Sequence, residues 1–213
     1  MLQKLLQILS AAWIAGACSL SALRAADTTA VPAVGGAFQK AQLQHGDVAP
    51  DFSVTGPKGE TIKLSDFKGK IVLVDLSPTW CGPCQTAMPN NDRIFRKYAD
   101  QGVVFLCIVT DDSREYYDSW IKRNAGKYKF LVTFDPAGRS GWKQSVFNTK
   151  YFVTDFPTVF VIDRDGKISE TVNFREAGDD YRLDAALAKA GIKVDPALLA
   201  QAAEDQKKRD AMR

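Results

Sequence analysis

The stretch that most constrains this chain is Ile71-Val72-Leu73-Val74-Asp75-Leu76, followed by Ser77-Pro78-Thr79-Trp80-Cys81-Gly82-Pro83-Cys84. A near-continuous apolar run of six residues is the pattern of a strand buried on both faces. Such a strand needs neighbours on either edge and layers above and below. The run enters a short loop, and the loop delivers two cysteines spaced C-x-x-C at the start of a helical pattern. That spacing lets the two sulfurs meet across one helical turn. It also puts Cys81 where unpaired helix N–H groups and the positive end of the macrodipole favour a thiolate, the nucleophile of thiol–disulfide exchange. Pro83 falls in the first turn, where a missing N–H costs nothing. The segment reads as a dithiol/disulfide centre.

The rest of the chain supplies the neighbours. Asp51–Val54 and Thr61–Leu64 alternate polar and apolar residues around Gly56-Pro57-Lys58-Gly59, the pattern of a hairpin. After a turn over Ser65–Lys70 and the strand 71–76, a helix is expected to about Tyr98. Met88, Phe95 and Tyr98 lie on its inner side, and Pro89 kinks it. Val103–Val109 is a second buried strand, and Thr110–Ser113 cap a helix carrying Tyr116, Tyr117, Trp120 and Ile121. Phe130–Phe134 reads as a short strand, and Trp142, Val146 and Phe147 suit a further helix. Thr158–Ile162 and Lys167–Asn173 flank Asp163-Arg164-Asp165-Gly166, a hairpin turn. A helix over about 179–190 packs Leu183 and Leu187, and 196–212 forms a terminal helix, polar toward its end. Alternating β and α elements closed by a hairpin and a helix predict an α/β fold with a mixed central sheet flanked by helices. The cysteines then sit just past the carboxyl end of a parallel strand, where α/β folds place their sites.

With 213 residues, 46% of them hydrophobic and a net charge of +3, the chain has the core for one domain plus tails. Its basic surplus is too small and scattered for a nucleic-acid partner. Residues 1–26 read as an export signal: Lys4 supplies the positive region, and Leu5–Ala17 an apolar stretch short of the ~20 residues of a membrane span. Two processing routes are open. Ala15-Gly16-Ala17-Cys18 resembles the lipobox of bacterial lipoproteins, which would place a lipid anchor on Cys18, although Ala15 stands where leucine is preferred. Cleavage near Ala25 or Ala26 would release a soluble protein, and a retained anchor is a third form. All three place the domain outside the cytoplasm, in the periplasm or anchored facing it. Residues 27–45 read as a linker, 46–191 as the domain and 192–213 as a helical tail.

Trp80-Cys81-Gly82-Pro83-Cys84 is the active-site sequence of the thioredoxin family, and three further features stand at the family's spacing. Asp75 lies six residues before the first cysteine, Pro89 eight after it, and Pro157 just before a strand. The chain thus resembles thioredoxins over about 46–191. The N-terminal hairpin, the helix-bearing insertion over 111–156 and the export signal resemble one branch. It comprises the tethered or periplasmic proteins related to the alkyl hydroperoxide reductase/thiol-specific antioxidant group, including reductants for cytochrome c maturation. The resemblance implies a thiol–disulfide oxidoreductase without cofactor or metal. Cys81 would attack and Cys84 would resolve the mixed disulfide. Asp75, buried below them with a raised pKa, would take the proton of Cys84. Trp80, Gly82, Pro83, Phe156 and a cis Pro157 would meet a disulfide-containing protein substrate. Phe156 stands where smaller residues are common. A lysine that accompanies this aspartate in thioredoxins has no counterpart on Val103–Val109, so Asp75 lacks its usual partner. Gly-Pro between the cysteines is the thioredoxin dipeptide, associated with a potential near about −270 mV, so the protein would reduce its partners. In an oxidising compartment it would draw electrons from a membrane thiol donor.

Two other functions compete. A thiol peroxidase would have threonine three residues before its cysteine, where Pro78 stands, and an arginine near the thiol, for which Arg93 is the loose candidate. A metal-handling assembly factor would use C-x-x-C as a ligand pair, but His45, the only histidine, reads as a solvated residue ahead of the domain, and no second Cys or His pair completes a zinc site. Cys107 reads as a buried, inert thiol. Tyr116, Tyr117, Trp120, Trp142 and Phe147 read as core.

Overall fold

In the computed structural model, residues 42–173 and 181–211 are described. Seven strands form one mixed sheet: β1 (Ser53–Thr55), β2 (Thr61–Lys63), β3 (Ile71–Leu76), β4 (Val103–Val109), β5 (Leu131–Phe134), β6 (Thr158–Ile162) and β7 (Ile168–Asn173). Their order is β2-β1-β5-β4-β3-β6-β7. The central trio β5-β4-β3 is parallel, and antiparallel strands complete both sides. The two strands with the longest apolar runs therefore lie in the middle, where both faces are covered. Every residue of β3 is buried.

Side chains alternate between the two faces of a strand, and the core divides accordingly. Ile71 and Leu73 of β3, Phe105 and Cys107 of β4, and Val159 and Val161 of β6 point to one face. They meet Met88, Ile94 and Tyr98 of α1 (Gly82–Tyr98), Tyr117 and Trp120 of α2 (Arg114–Arg123), and Leu183 and Leu187 of α4 (Arg182–Lys189). Val72, Val74, Leu106, Ile108 and Phe160 point to the other. There they meet Phe52 of the N-terminal hairpin, Phe147 of the one-turn helix α3 (Val146–Thr149) and Tyr151. Ile192 and Val194 are buried, and α5 (Pro196–Ala211) rests Leu198 and Leu199 on the first cluster.

The expected elements are present with some differences. The helix after the cysteines continues through Pro89, which removes one rung of its ladder. Its buried stripe is Met88, Ile94 and Tyr98, while Phe95 is only partly covered. Tyr116 is 59% exposed rather than core, because the stripe of α2 runs through Tyr117 and Trp120. The helix expected around Trp142 breaks at Ser145 into a 3₁₀ turn over 142–144 and α3, since the Ser145 hydroxyl caps the second piece by accepting from Phe147 N. The Asp163–Gly166 turn joins β6 to β7, and Gly166 takes the left-handed conformation (φ 77°) the reversal requires. His45 is exposed, with Nδ1 2.8 Å from the Ser169 carbonyl oxygen. Residues 174–180, which include the expected start of the helix over 179–190, and the export segment lie outside the described residues.

Candidate active site

The carboxyl ends of β3 and β4 and the loop preceding β6 meet at one end of the sheet, and every candidate residue converges there. Ser77 N donates to Ile108 O (3.0 Å), which extends the β3–β4 pairing one step past the strand. The chain then turns, Cys81 N bonding to Pro78 O (3.1 Å), and α1 starts. Cys81 is the N-cap of α1, and its sulfur accepts from Cys84 N at 3.1 Å. The cap position that proteins usually give to a serine or aspartate oxygen is thus held by a sulfur. Cys81 and Cys84 are joined as a disulfide, Cα atoms 5.2 Å apart. Cys81 retains 5% of its surface and Cys84 none, while Gly82 and Pro83 are exposed beside them.

Pro157 is cis, as the resemblance implied, and it is buried. Its strand β6 pairs with β3 in the register Leu76↔Thr158, which sets Phe156-Pro157 beside the cysteine loop. The two loops touch: the Trp80 and Phe156 rings meet edge to face, centroids 5.9 Å apart, and Phe156 packs on Trp142 at 5.6 Å. Trp80 is 52% exposed, and its Nε1 donates to Asp111 O (2.8 Å). The Arg139 guanidinium lies 5.9 Å from the Trp80 ring centre. The insertion thus supplies part of the site's rim.

Asp75 is wholly buried. By alternation it shares the face of Ile71 and Leu73, the side covered by α1. Cys84, Met88 and Asn91 are buried on α1 at i, i+4 and i+7, one stripe that meets this face. Asn91 Nδ2 donates to Asp75 Oδ2 (2.9 Å), and the Ser77 hydroxyl lies 3.1 Å from both carboxylate oxygens. Cys107 stands opposite on β4, and Val159 on β6. Burial pushes the Asp75 carboxyl up to about 7, with hydrogen bonds from Ser77 and Cys107 pulling the other way. The Cys107 thiol is held well above its ordinary range, by burial first and by the Asp75 charge second. The lysine-free β4 therefore gives Asp75 a thiol neighbour in place of a cation.

Several participants were missed from the sequence. Ser77 was detectable, because two residues after Asp75 on a strand means the same face. Asn91 left a fainter signal, an amide on the inner stripe of an amphipathic helix. Asp112 left none: it is buried, and it accepts from Thr79 N (2.7 Å) and Thr79 Oγ1 (2.6 Å), which fixes the residue before Trp80. Arg93, the loose peroxidase candidate, instead pairs with Asp184 on α4 (2.7 Å).

Residues 45–171 match the model of the AhpC/TSA family. The chain is 36% identical over 135 residues to the thiol-disulfide oxidoreductase ResA of Bacillus thuringiensis, covering 62% of this chain and 72% of that one. Among solved structures it is similar to a Chlorobium tepidum protein named as the thiol:disulfide interchange protein DsbE (32% identity, TM-score 0.59, 70% of this chain and 100% of that one). It is also similar to the exposed lipoprotein thioredoxin of Streptococcus pneumoniae (28% identity, TM-score 0.54, 65% and 99%). A disulfide-forming C-x-x-C pair at a helix N-terminus, a cis-proline loop against it and these relatives agree: the chain belongs to the AhpC/TSA family, as a thiol–disulfide oxidoreductase of thioredoxin fold.

Proposed function

We propose that this protein reduces disulfides of partner proteins outside the cytoplasm, with Cys81 as nucleophile, Cys84 as resolving thiol and Asp75 as the base. The carrying observation is the unequal placing of the two sulfurs. Cys81 caps the helix and keeps 5% of its surface beside exposed Gly82 and Pro83, where the N–H of Cys84 and the helix dipole favour its thiolate. Cys84 is enclosed, on the helix stripe that faces Asp75.

In the reduced protein the Cys81 thiolate attacks one sulfur of a partner disulfide. A Cys81–partner bond forms, the partner's own S–S bond breaks, and its first sulfur leaves as a thiolate that takes a proton from water. The Cys84 thiol then passes its proton to Asp75, and its sulfur attacks Cys81. The second partner sulfur leaves and is protonated in turn. The partner gains two electrons and two protons, and this protein is left in the disulfide form. A carboxyl titrating near 7 suits such a transfer at neutral pH. Trp80, Phe156 and Pro157, with exposed Gly82 and Pro83, form the surface that receives the partner's backbone.

The export reading of residues 1–26 and the similarity to an exposed lipoprotein support a position outside the cytoplasm, with Cys18 as the lipid attachment point. A membrane dithiol then returns the two electrons, and the paired cysteines of an apocytochrome c are the first substrate to try. A peroxidase reading finds its arginine engaged by Asp184 and the Thr79 hydroxyl engaged by Asp112.

Two experiments test this. Cys84→Ser in the producing organism should accumulate mixed disulfides with partners that dithiothreitol releases, and Cys81→Ser should accumulate none; the reverse pattern would exchange the two roles. Equilibration with a reference dithiol should give a Cys81–Cys84 potential below about −230 mV, whereas a value near about −120 mV would make the protein an oxidant.

A further inference from the structure

The question left by the site is what keeps Asp75 usable. A carboxyl that must accept and return a proton near neutral pH needs its ionised form supported in part. Burial alone would keep it protonated, and an adjacent cation would keep it ionised. The groups facing Asp75 can be named from each element around it. β4 brings the Cys107 thiol, β6 brings Val159, β3 brings Ser77, and α1 brings the stripe of Cys84, Met88 and Asn91. The α1 cation Arg93 is turned to Asp184. Support for the carboxylate therefore comes from uncharged donors.

Of these donors, Asn91 has the least other reason to be there. Its neighbours on the inner stripe, Met88, Ile94 and Tyr98, fill the core. Asparagine is a weak helix former, and this one is wholly buried. Its Nδ2 reaches Asp75 at 2.9 Å, yet its Oδ1 has no hydrogen-bond partner among the described residues. An unpaired buried carbonyl oxygen costs about 1–3 kcal/mol, which an apolar side chain of equal size would avoid. Asn91 is also the donor that α1, the helix carrying both cysteines, places on the carboxylate, so it ties the base to the element that bears the resolving thiol.

We propose that Asn91 is a positioning residue of the resolving step, its Nδ2–H holding the Asp75 carboxylate in place to receive the proton of Cys84. The inference rests on Asp75 being the base. In that step the proton moves from Cys84 Sγ to Asp75, the Cys84–Cys81 bond forms, and the bond from Cys81 to the partner breaks.

The test is Asn91→Leu in the full chain, which keeps the branched skeleton and the number of side-chain heavy atoms but cannot donate. Two quantities are read: the Asp75 titration in the reduced protein, by carboxyl carbon NMR, and the single-turnover rate of mixed-disulfide resolution against pH. Losing a donor to the ionised form should raise the Asp75 midpoint by about one pH unit. Resolution at pH 7 should slow by about fivefold and recover by about pH 9, as the remaining carboxylate ionises. A midpoint that does not move overturns the proposal, whatever happens to the rate, because a strut between α1 and β3 would alter stability alone. If Asn91→Leu does not fold, the unsubstituted protein decides. The Asn91 side-chain N–H resonances should move downfield with the Asp75 midpoint, and resonances flat across it overturn the proposal. Asp75→Asn separates the two ideas. If it leaves resolution fast and independent of pH, the base assignment fails and the proposal falls with it. If it slows resolution while Asn91→Leu leaves the midpoint fixed, only the proposal fails.

Discussion

Asp75 and Asp184 are both entirely buried carboxylates, and both are tied to α1, but the two regions treat them in opposite ways. Asp184, on α4, accepts two bonds from the Arg93 guanidinium and one from the Tyr98 hydroxyl. Its charge is answered by a charge, and α4 is fastened to α1. Asp75 meets a hydroxyl, an amide and a thiol, none of them charged. Burial of a carboxylate with neutral donors alone leaves it close to balance between its two protonation states. One region uses a buried aspartate as a fastening; the other leaves one near the balance that the proposed proton transfer requires.

The largest expected effect is at Asp75. In the unfolded chain its carboxyl titrates near the ordinary 3.8, in the fold at about 7. Between those values the native state holds a proton that the unfolded state has lost. Stability therefore falls as pH rises through that window and is level above it. Asp75→Asn removes this slope. Urea unfolding of the oxidised protein should show a gain of at most about 4 kcal/mol at pH 8, shrinking to nothing below about pH 4. The same variant should resolve mixed disulfides at least about tenfold more slowly at neutral pH. A loss of stability at pH 8 would show that the ionised carboxylate is better compensated than its neighbours indicate.

Asp184→Asn should do the reverse. It leaves Arg93 and the Tyr98 hydroxyl without their acceptor charge, and since the Arg93 side chain keeps 31% of its surface, the expected loss is about 2–3 kcal/mol. The pH profile of the redox reaction should not move. Asp112 sharpens the contrast between these extremes. It accepts from Thr79 N, Thr79 Oγ1 and Ser113 N, with the exposed Arg139 only 3.8 Å away. Asp112→Asn should cost about 1–2 kcal/mol and slow attack on partners, because the Thr79–Trp80 loop loses its anchor. Unchanged attack kinetics would reduce Asp112 to a stability element.

Most of the scaffold could be read from the chain because β3 and β4 are apolar on both faces, which leaves only a central position for them. The cysteine pair was legible for a local reason, since cap, spacing and Pro83 all belong to one turn of helix. Asp75 was legible because an aspartate inside Ile-Val-Leu-Val-Asp-Leu has no exposed place to go. What surrounds it was not. Asn91, Cys107 and Asp112 reach the site from three other elements, and which of them meet depends on strand register and helix rotation. The insertion was harder still: Tyr116 and Tyr117 are adjacent aromatics, and only helix phase decides that one is exposed and the other buried. Cys107 was rightly read as buried, but its position against Asp75 follows from the β3–β4 register, which pairs the two residues directly.

That register sets the smallest of the expected effects. A thiol is a weak donor, so Cys107 supports the Asp75 carboxylate less than a hydroxyl would. Cys107→Val, close in volume, removes the donor and should raise the Asp75 midpoint by a few tenths of a pH unit, roughly 0.3. Cys107→Ser installs a stronger donor and should lower it by a similar amount. Carboxyl carbon NMR on the reduced forms of both variants measures this. Opposite signs would identify the facing residue on β4 as a fine adjustment of the base, made by a neutral group on the strand where thioredoxins carry a lysine. Equal signs would assign the shift to repacking of the core instead, and Asp75 would then answer to Ser77 and Asn91 alone. Either result also tests the contrast with Asp184. A carboxylate locked to a guanidinium has little room to respond to one exchanged atom, whereas one balanced among neutral donors must respond to each of them.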